Sequence, residues 1–164
     1  MANKYFQEID IQFEETTKNN AKLVAEPFDR GYGVTIGNTL RRALLTSIPG
    51  AAITSIHIDG VTHEFTTIKG VLEDVADIIL NLKEIRFTML DEGPELVLVE
   101  LDGPCKFTGK DIGNLTKQFT VLNPDHHIAT ITAEKALVFE IRIARGKGYS
   151  SAIRNKRQDD ALGT

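Results

Sequence analysis

The chain has 164 residues and 41% of them are hydrophobic, a balance typical of one globular domain or of one and a half small ones. Its formal net charge of −4 argues against a chain that binds nucleic acid or anionic membranes with its whole surface, although a local basic patch is compatible with it. Cys105 is the only cysteine, which excludes an internal disulfide, and neither a signal peptide nor a membrane span is visible, so we expect a soluble cytoplasmic protein.

The first predicted elements are two strands and a helix. Alternating apolar and polar residues over 6–17 predict a half-buried strand, and residues 22–28 predict a second strand that ends at Pro27. The polar turn between the two strands predicts an antiparallel hairpin. A glycine-rich stretch follows, and we expect a helix that begins after an N-cap at Asn38 or Thr39 and stops before the next Pro-Gly pair.

From residue 51 onward most segments have the pattern of strands. Residues 51–58 predict a strand that closes at the turn Asp59-Gly60, with a short partner strand over 61–68. Residues 71–83 have the strongest helical periodicity in the chain. The other predicted strands are 84–90 and 95–101, which we expect to form a hairpin, then 119–132 and 135–146. The pattern as a whole predicts an α+β fold with a domain boundary near Pro49.

The glycine-rich stretch raises the question of a nucleotide site. Gly31 and Gly33 fit a dinucleotide fingerprint, but the third glycine comes one residue late, at Gly37, and the acidic partner expected about 20 residues further on is missing. The lysine of a P-loop is also missing, since Asn38 follows the last glycine. We therefore prefer a tight backbone connection before the helix. A small-ligand or nucleotide-binding module that uses the Gly31–Gly37 loop is the alternative.

On a helical wheel the first helix has an apolar stripe and an unusual second face. Arg42 and Leu45 lie close together on the second face, with Arg41 at its boundary. A leucine beside arginines is a composition typical of protein interfaces, although single exposed leucines are common. The stripe, which we expect to be the core face, consists of Leu40, Ala43, Leu44, Ser47 and Ile48.

The second helix repeats this feature. Leu80 lies opposite its apolar stripe, among Glu73 and Asp77, with Lys83 at one edge. Two helices that each present an apolar residue surrounded by charge favour a protein that binds other proteins. The predicted stripe consists of Val71, Leu72, Val75, Ile78, Ile79 and Leu82.

The remaining polar residues assemble no active site. The histidines lack partners at metal-ligand spacing, so we interpret them as surface side chains rather than zinc ligands or general bases. These are His57, His63, His126 and His127. For Cys105 we expect a buried structural thiol. The sequence therefore predicts no catalytic residue, no cofactor and no metal.

Residues 142–157 carry six arginine and lysine residues and no acidic residue. Such a segment could contact nucleic-acid phosphates or an acidic protein surface. Tyr149 is its only aromatic residue, so a platform for stacking bases is not supported. We prefer a solvated, mobile loop as the interpretation of this segment.

The long segment "EPFDRGYGVTIGNTLRRALLTSIPGAAITSIHIDGVTHEFTTIKGVLEDVADIILNLK" closely resembles the amino-terminal region of the alpha subunit of bacterial DNA-directed RNA polymerase, and "RIARGKGY" is similar to a later segment of that family. The resemblance implies a non-catalytic scaffold that dimerises and docks the two large subunits, beta and beta-prime. By this resemblance the chain belongs to a nucleotidyltransferase only as part of the polymerase complex. It also implies that DNA is contacted only through the complex or through a carboxy-terminal domain.

The resemblance also assigns roles to residues on the two helices. The residues expected to contact the beta subunit are Arg41, Arg42 and Leu45. The residues expected to contact the beta-prime subunit are Asp77, Leu80 and Lys83. The residues expected at the dimer contact are Leu40, Leu44 and Ile48.

The domain organisation that the resemblance implies is discontinuous. Residues 1–50 are expected to form the first half of a dimerisation domain, a hairpin plus a helix. Residues 51–150 are expected to form an inserted mixed α/β domain of mainly antiparallel strands with one long helix. Residues 151–164 would begin the return to the first domain. Family members continue with a further strand and helix, a linker and a DNA-binding domain, so we expect the chain to be a fragment.

Overall fold

The computed structural model describes residues 8–17, 20–90, 94–157 and Gly163. By its contacts the chain divides into two units, Met1–Thr46 and Ser47–Thr164. No helix within the described residues is both long enough and apolar enough to cross a bilayer.

The first unit contains a hairpin and a helix. Strands β1 (Asp10–Thr16) and β2 (Ala21–Glu26) pair in antiparallel register, which confirms the predicted hairpin. Phe6, with which we expected the first strand to begin, lies outside the described residues. Helix α1 (Tyr32–Ser47) has 16 residues, none of them buried.

Helix α1 begins earlier than predicted. We expected an N-cap at Asn38 or Thr39, but the helix runs back to Tyr32 and includes Gly33 and Gly37. A glycine inside a helix costs about 0.5–1 kcal/mol relative to alanine, and this cost made the segment look like a loop.

The physical reason for the earlier start is the spacing of apolar residues. Ile36, Leu40 and Leu44 recur every four residues, so the helical period continues across the glycine-rich stretch. Of the three glycines in this stretch, only Gly31, directly before the helix, has a positive φ, of 90°, that favours glycine. The loop on which a nucleotide site would depend is therefore mostly helix.

The second unit contains seven strands and three short helices among its described residues. The strands are β3 (Pro49–Ile58), β4 (Phe87–Met89), β5 (Glu95–Asp102), β6 (Cys105–Thr108), β7 (Phe119–Val121), β8 (His127–Ile131) and β9 (Ala136–Lys147). The helices are α2 (Val75–Lys83), α3 (Gly109–Gly113) and α4 (Ala152–Asn155). Five strands form an antiparallel sheet in the order β5-β9-β3-β4-β7, and β6 pairs separately with β8. This architecture confirms the α+β fold class.

The strand pairing differs from the prediction in one main respect. The segments 84–90 and 95–101 do not form a hairpin, because β4 pairs with β3 and β7 while β5 pairs with β9. The register of β5 with β9 extends from Glu95 opposite Ile143 to Asp102 opposite Ala136. A long strand gains more paired backbone from another long strand than from the three residues of β4, so the non-local pairing is favoured.

Smaller departures concern short segments. Residues 61–68 form no strand, because Thr66 and Thr67 pair with the residues that start α2. The predicted strand over 119–132 is two strands, β7 and β8, which lie in different sheets. Strand β6 and helix α3 were not predicted, since segments of four and five residues carry too little periodicity.

The core of the second unit packs α2 and the inner face of the sheet together. Phe107 and Phe139 are fully buried, with ring centroids 5.0 Å apart. Helix α2 buries Val75, Ile78 and Leu82, as its periodicity predicted. Leu72 was wrongly placed in this stripe and is 75% exposed, because it precedes the start of the helix.

Candidate protein-docking surfaces

The apolar stripe of α1 lies on the surface. Leu40 is 48% exposed and Leu44 is 58% exposed, and Ile48, which follows the helix, is 61% exposed. Our expectation that this stripe is a core face within the chain was wrong. The described residues of the first unit bury no position of α1, and β1 is itself exposed along its whole length.

The second face of α1 is exposed as well. Leu45 is 66% exposed, and Arg41 and Arg42 are exposed beside it. Because α1 begins at Tyr32, this face also includes Val34, which is 71% exposed. Val34, Arg41 and Leu45 have the spacing i, i+7 and i+11, which places them on one side of a helix. Val34 was not predicted on this face because we expected the helix to begin after it.

The surface of α2 presents the three residues expected there. Asp77, Leu80 and Lys83 follow at intervals of three and are all exposed, with Leu80 at 59%. The opposite side of the helix is buried, and Asn81 on its flank also holds it in place, since Nδ2 donates to the carbonyl of Ile128 at 2.9 Å. This surface therefore has an apolar centre between one negative and one positive charge on an anchored helix.

The N-terminus of α2 is set by polar contacts. Asp74 caps the helix, and its side chain accepts a hydrogen bond of 2.7 Å from the backbone N–H of Asp77. The negative charges of Asp74 and Asp77 lie near the positive end of the helix dipole, and Lys83 lies near the negative end. The sequence therefore specifies both ends of the helix that carries this surface.

Glu73 lies elsewhere than predicted. We expected it beside Leu80, but its carboxylate accepts from the backbone N–H of Thr130 at 2.6 Å and from the Thr130 hydroxyl at 3.1 Å. His127 Nε2 lies 2.7 Å from the same carboxylate. Burial raises the pKa of the Glu73 carboxyl, but these hydrogen bonds outweigh it and leave the pKa below its ordinary value. Glu73 therefore ties the segment before α2 to β8.

Cys105 is half-buried on β6 and packs against the core, where we expected a buried structural thiol. Burial raises the pKa of this thiol, and the negative charges of Asp111 and Asp102 raise it further. A raised pKa keeps the thiol protonated, which makes it a weak nucleophile. In the described part of the chain no three His, Cys, Asp or Glu side chains are arranged to hold a metal ion.

The basic segment 142–157 is largely structured. Strand β9 extends to Lys147, which pairs with Pro49 of β3, and residues Ala152–Asn155 form helix α4. The interpretation of this segment as a loop was therefore wrong for the residues in β9 and α4, whereas most of the segment is exposed to solvent as expected. The reason is that β9 continues its pairing with β3 beyond the core.

Comparison with known proteins identifies the family of the chain. Residues 56–164 match the family model described as the RNA polymerase Rpb3/RpoA insert domain. The chain is 47% identical over 153 residues to the DNA-directed RNA polymerase subunit alpha of Salinibacter ruber, covering 93% of this chain and 47% of that protein. It is 49% identical over 151 residues to the subunit of the same name from Oenococcus oeni, covering 92% of this chain and 48% of that protein. The chain thus spans about half the length of the curated relatives it matches.

Proposed function

The chain belongs to the family of the alpha subunit of bacterial DNA-directed RNA polymerase, and from this membership we propose that it is the assembly region of a non-catalytic scaffold subunit. The observation that carries the proposal is α1, a helix of 16 residues with no buried position and with exposed leucines on two faces. Burying one leucine contributes about 1.5–3 kcal/mol, so both faces gain from a docked partner.

The second face of α1 is the proposed contact with the beta subunit. Arg41 and Arg42 flank Leu45, and arginine around an apolar anchor is a composition that protein interfaces favour. Val34 extends this face toward the start of the helix. The contact would then cover about three helical turns, from residue 34 to residue 45.

The outer surface of α2 is the proposed contact with the beta-prime subunit. Leu80 would be the apolar anchor, with Asp77 and Lys83 pairing with opposite charges on the partner. Because the core side of α2 is held by buried residues and by Asn81, this surface is presented on a rigid support.

The apolar stripe of α1 is the proposed contact with a second copy of the protein. Leu40 and Leu44 lie one turn apart on the same side of the helix, and Ile48 follows in the same spacing. In this proposal residues 1–50 belong to the dimerisation domain, residues 51–150 form the inserted domain, and residues 151–164 begin the return to the first domain.

In this proposal the chain itself catalyses no reaction. Nucleotidyl transfer would belong to the assembled polymerase in the cytoplasm, and DNA would be contacted only through the complex or a carboxy-terminal domain. No membrane contact and no cofactor are part of the proposal. Nothing in the structure favours a nucleotide-binding module at Gly31–Gly37, since Gly33 and Gly37 lie inside α1.

The proposal is tested by measuring capture of purified beta subunit by the chain and by its Arg42→Ala and Leu45→Ala variants. Truncation of an anchor at a buried interface costs about 2 kcal/mol or more, so we expect each variant to bind beta about 30-fold more weakly. Both side chains are exposed, so the fold should be unchanged by circular dichroism. Leu80→Ser should weaken capture of beta-prime and leave capture of beta unchanged.

Arg86→Ala is the matched control, because Arg86 is an exposed arginine whose backbone N–H, not its side chain, makes the hydrogen bond to Asn123. This variant should capture both large subunits like the parent chain. Unchanged capture of beta by Arg42→Ala and Leu45→Ala, or an equal loss with Arg86→Ala, would count decisively against the scaffold proposal.

A further inference from the structure

The basic arm, residues 142–157, is the most asymmetric charged region of the molecule. It holds six arginine and lysine residues without one acidic residue, in a chain whose net charge is −4. The role proposed above uses α1 and α2 and leaves this arm without a function. A concentration of one charge in an otherwise acidic chain is typical of an interaction surface.

The arm is held in a defined shape. Its first part is the end of β9, where Gly146 pairs with Gly50 and Lys147 with Pro49. After the turn, the Ser150 hydroxyl donates a hydrogen bond of 2.7 Å to Asn155 Oδ1. This bond links the residues just before α4 to the last residue of the helix. Ser151 and Asn155 are half-buried, and α4 packs against β3. A surface with a fixed shape loses little conformational entropy when a partner binds.

Two apolar side chains stand out from this basic surface. Tyr149 is 89% exposed and Ile153 is 87% exposed, among the highest values for large hydrophobic residues in the chain. Lys147, Arg154 and Lys156 surround them in sequence and are exposed as well. Within the described part of the chain these three cations form no salt bridge. The arm therefore presents two exposed apolar side chains that lie between exposed cations along the chain.

We propose that the basic arm docks an acidic polypeptide segment that carries an apolar side chain between its carboxylates. The carboxylates would pair with Lys147, Arg154 and Lys156, and the apolar side chain would cover Ile153 and Tyr149. Charge complementarity steers such a partner to the arm, and the two apolar side chains give it an anchor.

The composition of the arm favours a polypeptide over a nucleic acid. Platforms for single-stranded nucleic acid use several aromatic side chains, whereas Tyr149 is the only aromatic residue in the arm. Ile153 can neither stack on a base nor hydrogen-bond to one, but it packs well against an aliphatic or aromatic side chain. A long polyanion would also extend over the acidic remainder of the chain and be repelled there.

The proposal is tested by fluorescence anisotropy with the 164-residue chain and a labelled peptide in which glutamates surround one leucine and one phenylalanine. We expect this peptide to bind more tightly than a polyglutamate of equal charge and than a single-stranded DNA of equal charge. The triple variant Lys147→Gln, Arg154→Gln, Lys156→Gln should bind the peptide about tenfold more weakly. Ile153→Ser should lose about fivefold for this peptide and nothing for polyglutamate.

The matched control is the triple variant Lys69→Gln, Lys110→Gln, Lys135→Gln, which removes the same charge from exposed lysines outside the arm. It should bind the peptide like the parent chain. The proposal is overturned if the peptide does not bind, if DNA binds equally well or better, if Ile153→Ser has no effect, or if the control variant loses as much affinity. The assay contains neither the beta nor the beta-prime subunit, so its outcome is separate from that of the scaffold proposal.

Discussion

Helices α1 and α2 belong to different units of the chain and stand in opposite situations. Helix α2 has nine residues and buries three of them, whereas α1 has 16 residues and buries none. Both helices are amphipathic by sequence, and both carry a leucine beside charged residues on a second face. Amphipathic periodicity therefore predicts a helix face that a partner surface must cover, but not whether the same chain provides that surface.

The two helices also draw their stability from different sources. Isolated helices of about 12–15 residues are marginal in water, so most helical stability in proteins comes from tertiary packing. In α2 that packing is present, together with the Asp74 cap and the hydrogen bond of Asn81. In α1 the equivalent packing is what we propose that partner subunits provide. The variants below test this contrast between the two regions.

The largest expected effect comes from the core of the second unit. Phe139→Ala removes a fully buried ring that lies 5.0 Å from that of Phe107, and it should lower the free energy of unfolding by about 3–5 kcal/mol. Leu44→Ala on α1 should change it by less than about 0.5 kcal/mol, since the side chain is 58% exposed. Urea denaturation followed by circular dichroism measures both. A comparable loss from Leu44→Ala would show that the stripe of α1 packs within the chain.

An intermediate effect is expected where α2 is tied to β8. Glu73→Gln removes a charged acceptor from the hydrogen bonds with Thr130 and His127 and should cost about 1–2 kcal/mol of unfolding free energy at neutral pH. The pKa of Glu73 is lower in the folded chain than its ordinary value of 4.5. Its contribution to stability is therefore complete above pH 4.5 and is lost as the pH falls through the lower folded value.

Denaturation at several pH values should show this dependence directly. The difference in unfolding free energy between the parent chain and Glu73→Gln should be constant near neutral pH and shrink in acid below pH 4.5. Glu134→Gln is the control, because this exposed glutamate makes no hydrogen bond or salt bridge through its side chain within the described residues. A difference that grows in acid would mean that Glu73 is not held as the structure shows.

Local sequence pattern predicted the elements of the fold better than their pairing. The alternation of buried and half-buried residues in β9 and the period of α2 are properties of contiguous segments, so both elements were predictable. The pairing of β5 with β9, rather than with β4, depends on residues some 40 positions apart. No local pattern encodes such a choice, because strands of similar composition compete for the same neighbours.

The docking surfaces were predictable to a similar extent. The exposure of Leu45 and of Leu80 followed from their positions off the apolar stripes. Glu73 could not be placed, since its partners Thr130 and His127 lie more than 50 residues away. Val34 was missed because Gly33 and Gly37 made the first turns of α1 look like a loop in the sequence.

The smallest expected effect tests those glycines. Gly37 lies in the interior of α1, and a Cβ built on it meets no atom within 4 Å. Gly37→Ala should therefore stabilise the helix by about 0.5–1 kcal/mol, seen as a stronger helical signal in circular dichroism and slower hydrogen exchange in α1. Gly103→Ala should act in the opposite direction, because a Cβ there would lie 2.2 Å from the carbonyl oxygen of Ala133. If Gly37→Ala changes neither the helical signal nor hydrogen exchange in α1, the segment around Gly37 is not helical and the contrast between α1 and α2 fails.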